Sequence, residues 1–153
     1  MLEVQASKKD KDFVMAINWK MAQACVAQGK ARQFPGTYAH NHREPNQDAV
    51  STMMNGVKML DPKDCPGMVF YMPTPKSPHG ADVDPSGEYI VAGGKLATVI
   101  PVHSFSKMLK AIEQKEFSGD FYGIPVIKYE ASLAGEVKKP CLGWRTQFLS
   151  LIL

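Results

Sequence analysis

Long apolar runs are missing from this sequence. No stretch of about 18 consecutive apolar residues occurs, and the opening Met1-Leu2-Glu3-Val4-Gln5 has neither the basic nor the apolar region of a secretory signal. The chain as written is therefore expected to hold no membrane segment and no export address. Cysteine is scarce: Cys25, Cys65 and Cys141 make no C-x-x-C pair, no zinc ribbon and no even-numbered disulfide framework. Cys25 reads as a helix packing residue and Cys65, before Pro66-Gly67, as a turn residue. Charge of one sign is also in short supply. The formal net charge is +3, too small and too dispersed for the clustered Lys/Arg face that tracks a phosphate backbone, so no nucleic-acid partner is expected. The densest charged stretch, residues 8–12, alternates in sign and reads as a solvated turn. Catalytic signatures are absent as well: Gly93-Gly94-Lys95 lacks the spacing of a phosphate-binding loop, and no G-x-S-x-G or H-E-x-x-H appears.

What is present is an ordinary globular composition. Of 153 residues, 44% are apolar and 22% charged, which suits one domain that buries roughly two-thirds of its unfolded surface. Disorder, collagen-like repeats and small disulfide scaffolds are thereby set aside.

The run Phe13-Val14-Met15-Ala16-Ile17-Asn18-Trp19 is almost wholly apolar and reads as a strand buried on both faces. A helix over residues 20–28 follows, with Met21, Ala24, Cys25 and Gln28 at helical spacing, Asn18 or Trp19 at its entry and Gly29 as its stop. Residues 31–56 turn polar without a sustained period. An excursion of that length reads as a functional loop or an insertion.

From residue 68 the pattern becomes β. Residues 68–72 form an apolar strand, 73–78 a stiff extended linker with three prolines, and 81–84 alternate. Asp84-Pro85-Ser86-Gly87 is a turn in which Asp caps and Pro presets φ. Residues 88–92 return, Gly93-Gly94 reads as a second turn, and 98–102 as a third strand, giving an antiparallel meander. Ser104 or Ser106 then caps a helix over 107–115, with Met108, Leu109 and Ile112 on one side.

Two strand-to-helix junctions echo one another. Lys20-Met21-x-x-Ala24 and Lys107-Met108-x-x-Ala111 each follow an apolar strand, 87 residues apart. Repetition of short strands with turns suits β-propeller blades, each of about 40–50 residues, and an 87-residue period leaves room for an insertion and a helix. The fold expected is mostly β: a partial β-propeller of one to two four-stranded blades with short inserted helices. A blade buries its faces against neighbours, so the chain reads as a piece of a larger ring.

Four histidines are candidates for chemistry. His40 and His42 fall on one side of an extended chain and could clip a metal, or could be solvated surface. His103, at a strand end beside Ser104, reads as a packing residue. His79 stands apart, because the proline-rich run before it is stiff and Gly80 behind it admits close backbone contact. On spacing alone its imidazole could serve either a structural hydrogen bond or a ligand. Asp82 and Asp84 could share a cation, although a turn cap accounts for Asp84 more simply.

The stretch M-P-T-P-K-S-P-H-G-A-D-V-D-P-S-G-E-Y-I-V-A-G-G-K-L-A-T-V-I-P-V-H-S-F, residues 72–105, resembles the propeller domain of nitrous-oxide reductase. The resemblance continues through Ile124-Pro125-Val126-Ile127-Lys128-Tyr129-Glu130 and Gly135-Glu136-Val137, and more loosely over the first 70 residues, so that it covers about residues 1–140. It implies a seven-bladed N-terminal propeller, which holds a tetranuclear copper–sulfide cluster through seven histidines, and a C-terminal cupredoxin domain with a dinuclear electron-entry copper. The histidine of P-x-P-K-x-P-H-G is a cluster ligand in that family, and it matches His79. Some members hold calcium with an Asn where this chain has Ser77, so a calcium site at Ser77 departs from the family pattern. The resemblance further implies a homodimeric parent, a periplasmic location, an electron-donor protein as partner, and N₂O as substrate in denitrification.

The departures are specific. Family members continue into G-L-G-P-L-H-T-x-F-D-G, whose histidine is the next ligand, whereas this chain reads Cys141-Leu142-Gly143-Trp144-Arg145-Thr146-Gln147-Phe148. Residues 141–153 are thus expected to be an aberrant apolar tail, as truncation or frame damage would produce. The cupredoxin ligands are absent from the sequence. With one matched cluster ligand, the chain alone is expected to be inactive. The competing reading is a non-catalytic propeller module that binds through loops such as 31–56.

Overall fold

The computed structural model describes residues 12–33, 57–76, 78–94 and 97–138. Residues 8–11, most of the 31–56 excursion with His40 and His42, Ser77, and the 141–153 tail with Cys141 lie outside the described residues. The described elements are β1 (Phe13–Ile17), α1 (Trp19–Ala27), β2 (Arg32–Gln33), β3 (Lys58–Met59), β4 (Val69–Pro73), β5 (Pro78–Val83), β6 (Tyr89–Gly94), β7 (Val99–Ser104), α2 (Phe105–Glu113), β8 (Phe117–Phe121), β9 (Ile124–Ile127), α3 (Tyr129–Ser132) and β10 (Leu133–Lys138). The protein is mostly β with few short helices, and no closed barrel forms among these residues. No described helix is long and apolar enough to cross a membrane. The chain divides into two compact units, Ile17–Met68 and the remainder.

In the larger unit one sheet has the order β1-β4-β9-β8. Val69, Phe70 and Met72 of β4 are all buried, as the apolar run predicts for a central strand. Thr74 N–H donates to Asp12 O and Asn18 N–H to Met68 O, hydrogen bonds that bracket β1 and set it antiparallel to β4. On the other side β9 lies parallel to β4, with Tyr71 opposite Val126. A parallel neighbour requires a long crossover, and here that crossover contains β5, β6 and β7 of the second sheet. Phe13 stacks on Tyr71 at 4.8 Å and tilts against Phe121 at 5.3 Å. The β8–β9 turn uses Tyr122 and Gly123, both at positive φ, the geometry that matches strand twist in a tight hairpin.

The second sheet has the order β10-β7-β6-β5. Its meander β5-β6-β7 is the one the sequence predicts, held at its first turn by Asp84, whose carboxylate accepts from the N–H groups of Ser86 and Tyr89. The fourth strand of this sheet is β10, antiparallel to β7, and the strand at 69–73 belongs to the other sheet. One expectation is corrected. Gly93-Gly94 is the end of β6 and not a turn.

Helix α2 starts at Ser104, whose hydroxyl accepts from Lys107 N–H and so satisfies one of the free donors of the first turn. Its Met108 and Ala111 pack on Phe70, Met72 and Ile127, which makes the helix the apolar cover of the first sheet.

In the smaller unit Asn18 caps α1 by accepting from Met21 N–H. The strands β2 and β3 pair antiparallel, and Arg32 forms an exposed ion pair with Asp61 at 3.4 Å. Cys25 and Cys65 are joined in a disulfide, with Cα atoms 6.1 Å apart. The expectation of unpaired cysteines is therefore overturned. The bridge fits because Cys25 faces inward from α1 and the turn around Cys65 brings the second sulfur to it, a proximity that spacing in the sequence does not encode.

Candidate functional site

His79 lies at the start of β5, the outermost strand of its sheet. The β5–β6 register shifts between Pro78 and Ala81, so His79 and Gly80 occupy an irregularity, the kind of feature that re-aims side chains at sheet edges. Before it comes the proline-rich segment, and opposite Pro78 stands Gly94. A Cβ built on Gly94 would meet the Lys76 carbonyl oxygen at 2.6 Å and the Pro75 carbonyl oxygen at 2.7 Å. Only glycine admits that approach, so the Gly-Gly end of β6 is a seat for the 75–76 backbone.

Stiff prolines, a backbone held against Gly94 and a bulged strand start together preorganise the main chain that carries His79. Among the described residues no three His, Cys, Asp or Glu converge. Beside the proline-rich segment runs a shallow cleft of about 330 Å³ lined by Asp12, Phe13, Pro73, Thr74, Lys76, Ser118 and Val126.

The remaining candidates separate from it. His103 is fully buried, with Nδ1 3.0 Å from Ser132 Oγ and its ring edge-on to Tyr129 at 5.7 Å. Burial pushes its pKa below the ordinary value, and its Nε2 has no partner. Its burial matches the packing reading of a residue at a strand end. Asp84 is spent on its turn, and hydrogen bonds from the Ser86 hydroxyl and Tyr89 N–H hold its carboxyl below the usual range. Asp82 is exposed and pairs in register with Val91; the two carboxylates share no described cluster.

Sequence reasoning missed Glu88. Its carboxylate accepts from the hydroxyls of Ser104 and Ser106, which lower its pKa, and it occupies the N-terminus of α2 where an anion is favoured. Sequence reasoning also missed the seat at Gly94; a glycine inside a strand pattern is the signal that could have found it. No protein-family model matches the chain.

Proposed function

We propose that this chain is a propeller segment of a copper-dependent nitrous-oxide reductase, in which His79 supplies one imidazole to the tetranuclear copper–sulfide cluster. The observation that carries the reading is the P-x-P-K-x-P-H-G segment, seated on Gly94 and delivering His79 to the edge strand β5. A ligand must be in place before its metal arrives, and neutral imidazole suits copper. On this reading β5, β6, β7 and β10 make one four-stranded blade with residues 105–132 inserted before its last strand, and β1 and β4 belong to a neighbouring blade of the seven-bladed parent.

The cluster, when bound, delivers electrons to a weakly bound and inert molecule in the reaction N₂O + 2 H⁺ + 2 e⁻ → N₂ + H₂O. The part of this chain is narrower. Residues 73–78 restrict the approach, Gly94 admits it, and His79 binds through a ring nitrogen. The other imidazoles, the dinuclear copper domain, the electron-donor protein and the second subunit belong to the parent, and Ser77 is the position at which calcium would be held. The Cys25–Cys65 disulfide supports an oxidising compartment such as the periplasm.

The reading frame on either side of this segment tests the proposal. Further histidine motifs followed by a cupredoxin motif support it, whereas further blades without histidines would replace the enzyme with a binding module. The chain by itself, reconstituted with copper and supplied with reduced methyl viologen, is expected to consume no N₂O; turnover by it would contradict the assignment of one ligand among seven.

A further inference from the structure

Among the described residues one buried side-chain nitrogen has no hydrogen-bond partner, His103 Nε2, where a buried polar atom ordinarily finds one. His103 is fully buried near the end of β7, opposite Ile90 of β6 and Leu133 of β10. Helix α3 packs against its ring. The buried Ser132 hydroxyl lies 3.0 Å from Nδ1, and the Tyr129 ring stands edge-on at 5.7 Å.

Helix α3 has little of its own to hold it. It is a single turn, Tyr129–Ser132, without a side-chain cap, and so short a helix is not stable by itself. Three side-chain ties fasten it: His103 to Ser132, the Tyr129 hydroxyl donating to Glu136, and Lys107 Nζ donating to the Leu133 carbonyl oxygen just beyond the helix at 2.8 Å. Strand β7 is held more firmly, because it is paired on both sides, with β6 and with β10. The least firmly held element over the ring is therefore α3.

The charged groups around the ring do not balance a proton on it. Before β6, Glu88 accepts from the hydroxyls of Ser104 and Ser106. From α2, Lys107 brings a positive charge to the same junction, and Lys110 is exposed. From β10, Glu136 accepts from Tyr129. On α3 itself Glu130 is exposed, as is Lys128 before it. Tyr129 keeps its proton, since burial and the hydrogen bond to Glu136 hold the phenol above its ordinary pKa. A protonated His103 would carry an N–H on both nitrogens, and the one on Nε2 would have nothing to donate to.

We propose that α3 is an acid-released clasp: protonation of His103 frees Tyr129–Ser132 from β7 and admits water to the imidazole, while both four-stranded sheets stay folded. Closed, the site disfavours the proton; open, the imidazole titrates near its ordinary value of 6.5. Opening is thus independent of pH well above that value. Below it, opening grows by up to about tenfold per pH unit until the closed form is protonated too. The clasp rests on β7 and α3 and not on copper, so the two proposals fail independently.

Amide hydrogen exchange of the full chain, over about two pH units around the ordinary histidine pKa, tests this when each rate is divided by its intrinsic rate at that pH. The reporters are the N–H of Ala131, which donates to Lys128 O, and that of Leu133, which donates to Glu130 O. Their protection is expected to fall by up to about tenfold per pH unit on the acid side, while the amides of β4 keep theirs. His103→Gln removes the titrating ring and should flatten the dependence. Tyr129→Phe removes a tie but not the ring, so protection should be lower at every pH with the slope retained. Flat protection in the wild type, an equal fall in β4, an unchanged slope in His103→Gln or a slope lost in Tyr129→Phe would each overturn the proposal. Where a variant does not fold, the wild-type comparison of α3 with β4 decides by itself.

Discussion

Gly94 lies so close beneath Lys76 that a Cβ at Gly94 would stand 2.6 Å from the Lys76 carbonyl oxygen. The contact ties the end of β6 to the backbone two residues before Pro78, and through it to the strand that begins with His79. Gly94→Ala is expected to push that backbone away, at a cost of about 1–3 kcal/mol from overpacking. Thermal unfolding measures the loss, and amide exchange should show faster opening of residues 78–81 and little change in β4. An alanine variant as stable as the wild type would mean the seat is not there.

His103 predicts a pH dependence. Burial lowers its folded-state pKa below the ordinary value near 6.5, so the unfolded chain takes up a proton first as pH falls. Stability is complete above about pH 6.5 and declines as acid is added, until the folded form is also protonated. The decline should be smaller in His103→Gln, which removes the titrating group. Urea unfolding between pH 7.5 and 5, about the ordinary histidine pKa, reads both curves. Identical slopes would remove His103 from the account.

The disulfide makes a count. Unfolded without reductant, the protein should show one reactive thiol, from Cys141, and with reductant three. Closing a loop across a separation of 40 residues contributes roughly 3–4 kcal/mol, so Cys25→Ser should lower the unfolding midpoint of the 17–68 unit. Three reactive thiols in the unreduced protein would contradict the pairing.

The two echoing junctions can be compared by mutation. Met21 and Met108 align by letter, yet Met21 is 37% exposed and Met108 5%. Met108→Ala should cost about 2–5 kcal/mol, and Met21→Ala about 1 kcal/mol or less. Equal losses at the two sites would contradict their unequal burial.

These methionines show what the sequence reveals and where it stops. The caps at Asn18 and Ser104, the apolar run of β4 and the turn at Asp84 are local signals, and each element they announce is present. The echo was visible as shared letters, but letters set Met21 and Met108 in like positions, whereas the inward positions of α1 are the small Ala22 and Cys25 while Met21 turns outward. The strands β8 to β10 gave little pattern. Gly119 and Pro125 interrupt the first two, and β10 is exposed along most of its length. The parallel β4–β9 pair and the disulfide are long-range facts, fixed by the crossover and by sulfur proximity, for which no short window carries a signal. At the candidate site the P-x-P-K-x-P-H-G letters singled out His79, while its seat on Gly94 emerged only from backbone packing.

The central proposal is that His79 is a copper ligand, and total copper per chain together with the visible spectrum of the proposed parent reductase tests it most directly. His79→Ala is predicted to lose or alter the copper–sulfide centre and N₂O reduction, while the separate dinuclear centre keeps its spectrum. A variant with the full cluster complement and normal turnover, losing only a hydrogen bond worth about 1 kcal/mol of stability, would contradict the account.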